Sequence, residues 1–278
     1  MRLILSRKGF DSQAGGAPSP IFEDGTMFSL PIPEKGSPRT YAEVTLAGRP
    51  LGPLVESLSR GKTRADFGVH LDPDLTSEAV PRRPGWRPSL GQCDAAQGVL
   101  RRAGVGEGDV FLFFGWFREV EERANGPTYL RGAPDLHVLF GWLQVGSVIR
   151  PPEDPPPVWA FDHPHVVHPH RSGNSIYLAS EGLSLPGEQV DAPGAGTFRT
   201  YREDLRLTAP DSTRSVWELP RWFDPRSGRP PLGAHGDLGR WYQEDGDLRL
   251  RSVARGQEFV LEVDHYPEAI AWIRELIA

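Results

Sequence analysis

Two segments carry side chains that can do chemistry together. Arg7-Lys8-Gly9-Phe10-Asp11 follows the apolar run Leu3-Ile4-Leu5 and leads into Gly15-Gly16. A short strand thus ends in two cations, a glycine, an aromatic ring and a carboxylate, on the kind of loop where scaffolds display function. Arg7 offers phosphate a planar fork and Lys8 a point charge, while Asp11 suits a base or a stabiliser of positive charge. A surface salt bridge after an edge strand would leave the same pattern. In His70-x-Asp72-x-Asp74 the apolar alternation of a strand sets one imidazole and two carboxylates on one face, at least until Pro73 breaks the pairing. Such a set can activate water or hold a divalent ion, although Asp-Pro-Asp is also common turn chemistry.

A third segment, His163-Pro164-His165-Val166-Val167-His168-Pro169-His170, packs four histidines into eight positions. His-x-His pairs chelate metals, but histidines in proline-rich loops are also ordinary hydrogen-bonding groups, and no carboxylate stands at a fixed spacing here. A grip on phosphate or on a polar base edge is equally open. Trp116, Phe117, Trp142, Trp159, Trp217 and Trp222 are too numerous to be anything but mostly core, with one or two beside Gly115 or Gly141 free to stack on a flipped base. Gly-x-Gly-x-x-Gly after a strand, a phosphate-loop Gly-Lys-Ser/Thr and Gly-x-Ser-x-Gly are all missing, which argues against dinucleotide oxidoreductases, nucleoside triphosphatases and α/β hydrolases.

The elements that must position these groups read as follows. Residues 1–35 form a strand, a glycine-rich loop and a hairpin-like turn at Glu23-Asp24-Gly25-Thr26. Leu51, Leu54, Val55 and Leu58 recur at helical spacing, and Gln92 to Arg102 predicts a second helix ended by Gly104. Asp109 to Arg118 and Leu136 to Ile149 are long apolar runs punctuated by glycine, which predicts two neighbouring buried strands. Ser175 to Ala179 is a further strand, Val216 to Phe223 covers one end of the core, Gly246 to Val263 reads as a hairpin around Arg255-Gly256, and Pro267 opens a terminal helix. With no repeat and no clean linker, residues 1–278 read as one α+β domain with a mixed, largely antiparallel sheet and a few short helices.

Length permits a substantial core without metal or disulfide, and the single Cys93 excludes an intramolecular disulfide and any multi-cysteine zinc site. A formal net charge of −6 argues against a broadly cationic coat, while leaving room for a local basic face. The start Met1-Arg2-Leu3-Ile4-Leu5-Ser6 lacks the apolar core of a secretory signal and no later run approaches membrane-spanning length, so a soluble, cytoplasmic chain is expected.

The order Arg7-Lys8-Gly9-Phe10-Asp11, Asp24-Gly25, His70-Leu71-Asp72-Pro73-Asp74, Phe113-Phe114-Gly115-Trp116-Phe117-Arg118, Phe140-Gly141-Trp142-Leu143-Gln144-Val145-Gly146, His163-Pro164-His165 and Trp217-Glu218-Leu219-Pro220 resembles the third family of nucleotide-modification-associated domains from bacteria and phages. The resemblance covers nearly the whole chain. Such proteins look like DNA glycosylases that remove bulky modified cytosines, such as glucosylated hydroxymethylcytosine, from phage DNA in antiviral defence. It therefore implies a hydrolase that binds double-stranded DNA carrying modified bases, cleaves an N-glycosidic bond and leaves an abasic site.

On that reading a carboxylate among Asp11, Asp72 and Asp74, beside His70, stabilises charge on the deoxyribose or orients water. Arg7, Lys8 and Arg118 grip phosphates, and Phe10, Trp116, Gln144, His163 and His165 receive the flipped base. The scheme requires no metal or redox cofactor. Two other readings stand beside it: a non-catalytic reader of modified bases, and a metal-dependent nuclease or base-modifying enzyme using His70, Asp72, Asp74 and the 163–170 histidines. All of them require the Arg7–Asp11 loop and the His70–Asp74 segment to meet in space.

Overall fold

The computed structural model describes residues 1–277. Apart from a small two-stranded ribbon, Thr45–Leu46 with Arg49–Pro50, its strands in chain order are β1 (Arg2–Arg7), β2 (Ser19–Ile21), β3 (Ser89–Gln92), β4 (Val110–Glu121), β5 (Thr128–Tyr129), β6 (Leu136–Ile149), β7 (Ser175–Ala179), β8 (Ala195–Thr197), β9 (Val216–Leu219), β10 (Trp241–Glu244), β11 (Asp247–Arg251) and β12 (Glu258–Glu262). The helices are α1 (Leu51–Leu58), α2 (Asp94–Arg102), the single turn α3 (Pro164–Val167) and α4 (Glu268–Ile277). No helix among the described residues is long and apolar enough to cross a membrane.

The two glycine-punctuated apolar runs do pair. β4 and β6 lie antiparallel, Phe113 opposite Gly141 and Phe117 opposite Leu136, with a register shift between Phe113 and Phe114. Both faces are covered over Val110–Gly115 and Leu136–Val145, which is why these stretches show runs of apolar residues rather than alternation. They centre a nine-stranded sheet of order β12-β1-β4-β6-β7-β3, to which β2 and β5 add on β4 and β8 on β6. β1 joins β4 in parallel, so its C-terminal end runs straight from the core into the Lys8 loop. β9, β11 and β10 form a separate three-stranded sheet whose Trp217, Leu248 and Leu250 pack into the same core. The fold is α+β, as the sequence reading had it.

Two expectations needed correction. Gly246 to Val263 is not a hairpin: β11 has both edges occupied by β9 and β10, so β12 turns away to the free edge of β1. Residues 66–75 do not form a strand either. Their backbone groups are shared among separate partners, Val69 N–H donating to Arg39, His70 to Ile32 and Asp74 to Ser89, and Pro73 has no N–H to extend a ladder. The alternation that would have kept His70, Asp72 and Asp74 on one face therefore fails after Asp72.

Close approach at the sheet depends on two glycines. A Cβ on Gly115 would stand 2.9 Å from the Lys8 carbonyl, where the loop after β1 crosses β4. A Cβ on Gly91, in β3, would stand 2.1 Å from the His165 ring.

Candidate active site

A cavity of about 1170 Å³ opens at the C-terminal end of β1, and Lys8, Asp11, His70, Asp72 and His165 all line it. The Arg7–Asp11 loop and the His70–Asp72 segment thus meet, together with two of the clustered histidines, His165 and His168.

Asp72 is the centre of the polar wall. Its Oδ1 accepts the Gly91 N–H at 2.7 Å, and its Oδ2 lies 3.4 Å from His70 Nε2 and 3.6 Å from His165 Nε2. The far side of each imidazole is also held. His70 Nδ1 donates to Glu34 Oε2 at 2.9 Å, and Glu34 is itself fixed by Arg171 at 2.9 Å. His165 Nδ1 meets Asn174 Oδ1 at 2.5 Å. The Asn174 amide donates to the His165 and Pro169 carbonyls, so its oxygen must be the acceptor and His165 Nδ1 the donor. Gly91 supplies both the N–H for Asp72 and the bare backbone on which His165 rests.

The electrostatics follow from this geometry. Burial opposes charge on the His70 ring, but Asp72 and Glu34 outweigh it and push its pKa up to about 9. Burial likewise opposes charge on Asp72, yet the His70 hydrogen bond and the neighbouring histidines hold its carboxyl well below the usual range. At His165 burial prevails over the attraction of Asp72 and lowers the pKa. A neutral His165 with its proton on Nδ1 presents a bare Nε2 lone pair to the Asp72 carboxylate and the cavity.

Elsewhere on the cavity lining, Asp11 accepts the Gln13 and Ala14 N–H groups through Oδ1, both at 2.7 Å, which shapes the loop while Oδ2 takes no partner among the described residues. Arg7 donates to the Val253 and Ala254 carbonyls and lies over the Phe114 and Phe259 rings. Burial and the nearby Arg214 cation lower its pKa. Lys8 turns inward, 3.1 Å from the Glu258 carboxylate. A second cavity of about 1020 Å³ borders the first, with Arg7, Asp11, Gln13, Gly256 and Gln257 lining both. Its own walls add Trp116, Arg214 and Arg255. Arg214 stacks 4.3 Å from the centre of the Trp116 ring, whose indole N–H is buried without a partner.

The remaining residues expected at the site stand elsewhere. Asp74 lines two smaller cavities instead of the large one and is clamped by Arg82 at 2.5 and 2.6 Å and by Trp86 Nε1 at 3.2 Å. Burial raises its pKa against the pull of Arg82, but the two-pronged clamp is that of a carboxylate in a structural ion pair. Arg118 faces Asp135 at 3.8 Å and borders neither large cavity. Phe10 is 1% exposed, edge-on to Tyr41 and covered by Gly15, so its ring is core and not a stacking platform. Gln144 spends its amide on Gly108, Ser180 and Ser184. His163 caps α3 by accepting the His165 N–H, and burial drives its pKa down to about 3. It faces a smaller cavity, so only His165 of that pair reaches the site. Trp116 lies in the second cavity.

Sequence reading missed Glu34, Gln92, Arg171, Asn174, Arg214 and Glu258. Each is a common polar residue outside any motif, and only the tertiary fold brings it to one of the two large cavities or, for Asn174, behind His165. Asn174, directly before β7 and after the histidine run, offered a faint local signal.

Neither the curated proteins nor the solved structures hold a match to this chain. The family model of nucleotide modification associated domain 3 matches residues 2–262, and this span contains every residue of the cavity wall described above. The chain therefore belongs to the nucleotide modification associated domain 3 family and has a role associated with nucleotide modification.

Proposed function

We propose that this protein is a DNA glycosylase that draws a bulky modified base out of the duplex, hydrolyses its N-glycosidic bond and leaves an abasic site, in defence against phages whose DNA carries such bases. The observation that supports it most is the position of Asp11 on the shared border of two large cavities. A base extruded into the His70–Asp72–His165 cavity, with its strand running past Arg7, Arg214 and Arg255, brings its deoxyribose to that border. The first cavity, about 1170 Å³, is larger than an ordinary ligand pocket and suits a base enlarged by a sugar.

In this scheme water adds to C1′ as the C1′–N bond breaks, and the base departs with a proton. The free oxygen of Asp11 faces the positive charge that builds on the sugar. The acceptor atoms of Asp72 and His165 hold the incoming water on the opposite side. Arg7 and Arg214, two partly buried cations without a carboxylate clamp among the described residues, suit the phosphates that flank the extruded nucleotide.

The test is to incubate the protein with duplex DNA containing plain cytosine, hydroxymethylcytosine or glucosylated hydroxymethylcytosine and then treat with alkali. Strand breaks confined to modified positions, accompanied by release of the free base, are expected. Tight binding without breaks or released base would make the protein a reader and overturn the hydrolase reading.

A further inference from the structure

We propose that His70, Asp72 and His165 form a binding site for one divalent transition-metal ion of the zinc or iron(II) class. The proposal deepens the hydrolase reading, because the ion would occupy the place given there to the incoming water. It rests on three features of the cluster.

The first is spacing. Ligand atoms about 2.0–2.2 Å from a tetrahedral ion stand about 3.4 Å from each other. His70 Nε2 and His165 Nε2 lie 3.4 and 3.6 Å from the same Asp72 oxygen, and all three ligand atoms fall within 4.8 Å of one another. Side chains from the irregular segment 66–75 and from α3 reach that spacing while buried.

The second is the direction of the lone pairs. His165 must use Nδ1 as a donor to Asn174, which leaves Nε2 as a bare acceptor opposite a carboxylate oxygen. Two acceptors that face each other repel unless a cation lies between them. His70 commits Nδ1 to Glu34 and turns Nε2 inward to Asp72, so the Nε2 proton it shares with that carboxylate is the one the ion would displace. An imidazole whose outer N–H is held by a carboxylate or amide oxygen is the usual support of a metal-ligating histidine, and both rings have it. Asp72 has the corresponding brace in the Gly91 N–H.

The third is access. The three ligands form one wall of the large cavity, so a fourth position would open to water or substrate, as in catalytic rather than structural metal sites. Two nitrogens and one carboxylate select a transition ion over magnesium or calcium, which prefer all-oxygen shells. His163 cannot join the set, because its Nδ1 accepts the His165 N–H and its remaining proton sits on Nε2. His170, at the exposed end of the same run, does not line the cavity and is not among the ligand atoms grouped there.

The test is calorimetric titration of the full metal-free chain with Zn²⁺, and with Co²⁺ followed by visible absorption, in the absence of DNA. One equivalent of each should bind, and Mg²⁺ should not compete. His70→Ala and His165→Ala should each abolish that equivalent, and His170→Ala should leave it intact. Glu34→Gln keeps all three ligands and should weaken binding about 10–100-fold. Should either alanine variant fail to fold, Glu34→Gln and the Co²⁺ ligand-field spectrum still decide the matter. No stoichiometric binding, or binding lost only with His170→Ala, would overturn the site. Because no DNA is present, metal binding without base release would count against the glycosylase alone, and chelator-resistant base release without metal binding would count against the metal site alone.

Discussion

Lys8 Nζ lies 3.1 Å from Glu258 Oε1, an ion pair in which the lysine side chain is 9% exposed and the glutamate fully buried. The same oxygen also accepts Ser6 Oγ at 3.1 Å and Gln92 Nε2 at 2.6 Å, so β1, β3 and β12 are tied together at the floor of the large cavity. Lys8, expected from its loop position to grip phosphate, is instead the counter-ion of a buried carboxylate. Lys8→Met should therefore destabilise the fold by about 3–5 kcal/mol, because it leaves the buried Glu258 without a counter-ion, with only the neutral Ser6 and Gln92 donors. Adding Glu258→Gln should recover much of the loss. Urea unfolding of the two variants checks this; an unchanged midpoint in Lys8→Met would mean the amine is free for DNA.

Gly91 carries two duties at once, donating its N–H to Asp72 and leaving room for the His165 ring. In Gly91→Ala the new methyl would stand 2.1 Å from His165 Cδ2, so the ring must leave its position beside Asp72. The expected cost is about 1–3 kcal/mol of overpacking, with base release lost even though the protein remains folded. Gly106→Ala, where nothing stands within 4 Å of the added carbon, is the control and should leave both unchanged. Unfolding midpoints and base-release assays on the two variants separate the outcomes.

Asp11 and Asp74 look alike in sequence, each a carboxylate beside a turn, yet they should respond differently to the same change. Asparagine keeps the Oδ1 acceptor that Asp11 uses for Gln13 and Ala14, so Asp11→Asn should retain stability within about 0.5 kcal/mol. It should nevertheless lose base release by about 100-fold or more, since it removes the charge opposite the sugar. Asp74→Asn leaves Arg82 uncompensated in a site where both side chains are largely buried and should cost about 3 kcal/mol. Its residual activity should follow the folded fraction. Equal activity loss in two equally stable variants would place both residues in the chemistry.

What the chain made legible follows from what each pattern encodes. Leu136 to Ile149 matched β6 to the residue, because a run buried on both faces as far as Val145 and still largely apolar beyond it shows its extent in its composition. The pairing of β12 was not legible: apolar alternation records a buried face but not which open edge will be met, and the edge of β1 lies at the other end of the chain. His163 and His165 are the same residue type two positions apart, and only the tight turn at Pro164 sends one into a helix cap and the other into the cavity. Asp74 was misplaced because strand alternation was extended across Pro73. Glu34 and Glu258 carried no local mark, since their role comes from the His70 and Lys8 groups the fold brings against them.

A last prediction concerns His235, which lies outside the large cavity's polar wall and is fully buried. Its Nδ1 donates to the Gly233 carbonyl at 2.8 Å and its Nε2 accepts the Val253 N–H at 3.2 Å, so the ring is neutral and has no room for a second proton. Burial, aided by the Arg240 and Arg7 cations, drives its pKa down from 6.5 to about 4. The unfolded chain takes up a proton near pH 6.5 that the folded protein refuses until about pH 4. Stability from this group is therefore complete above about pH 6.5 and is lost as the pH falls towards 4, by about 3 kcal/mol at most. Urea unfolding of the wild type and of His235→Gln between pH 4.5 and 7.5 should show a steeper acid loss in the wild type, by close to one proton. Parallel pH profiles would mean that His235 titrates normally in the fold, and that acid sensitivity arises from other groups.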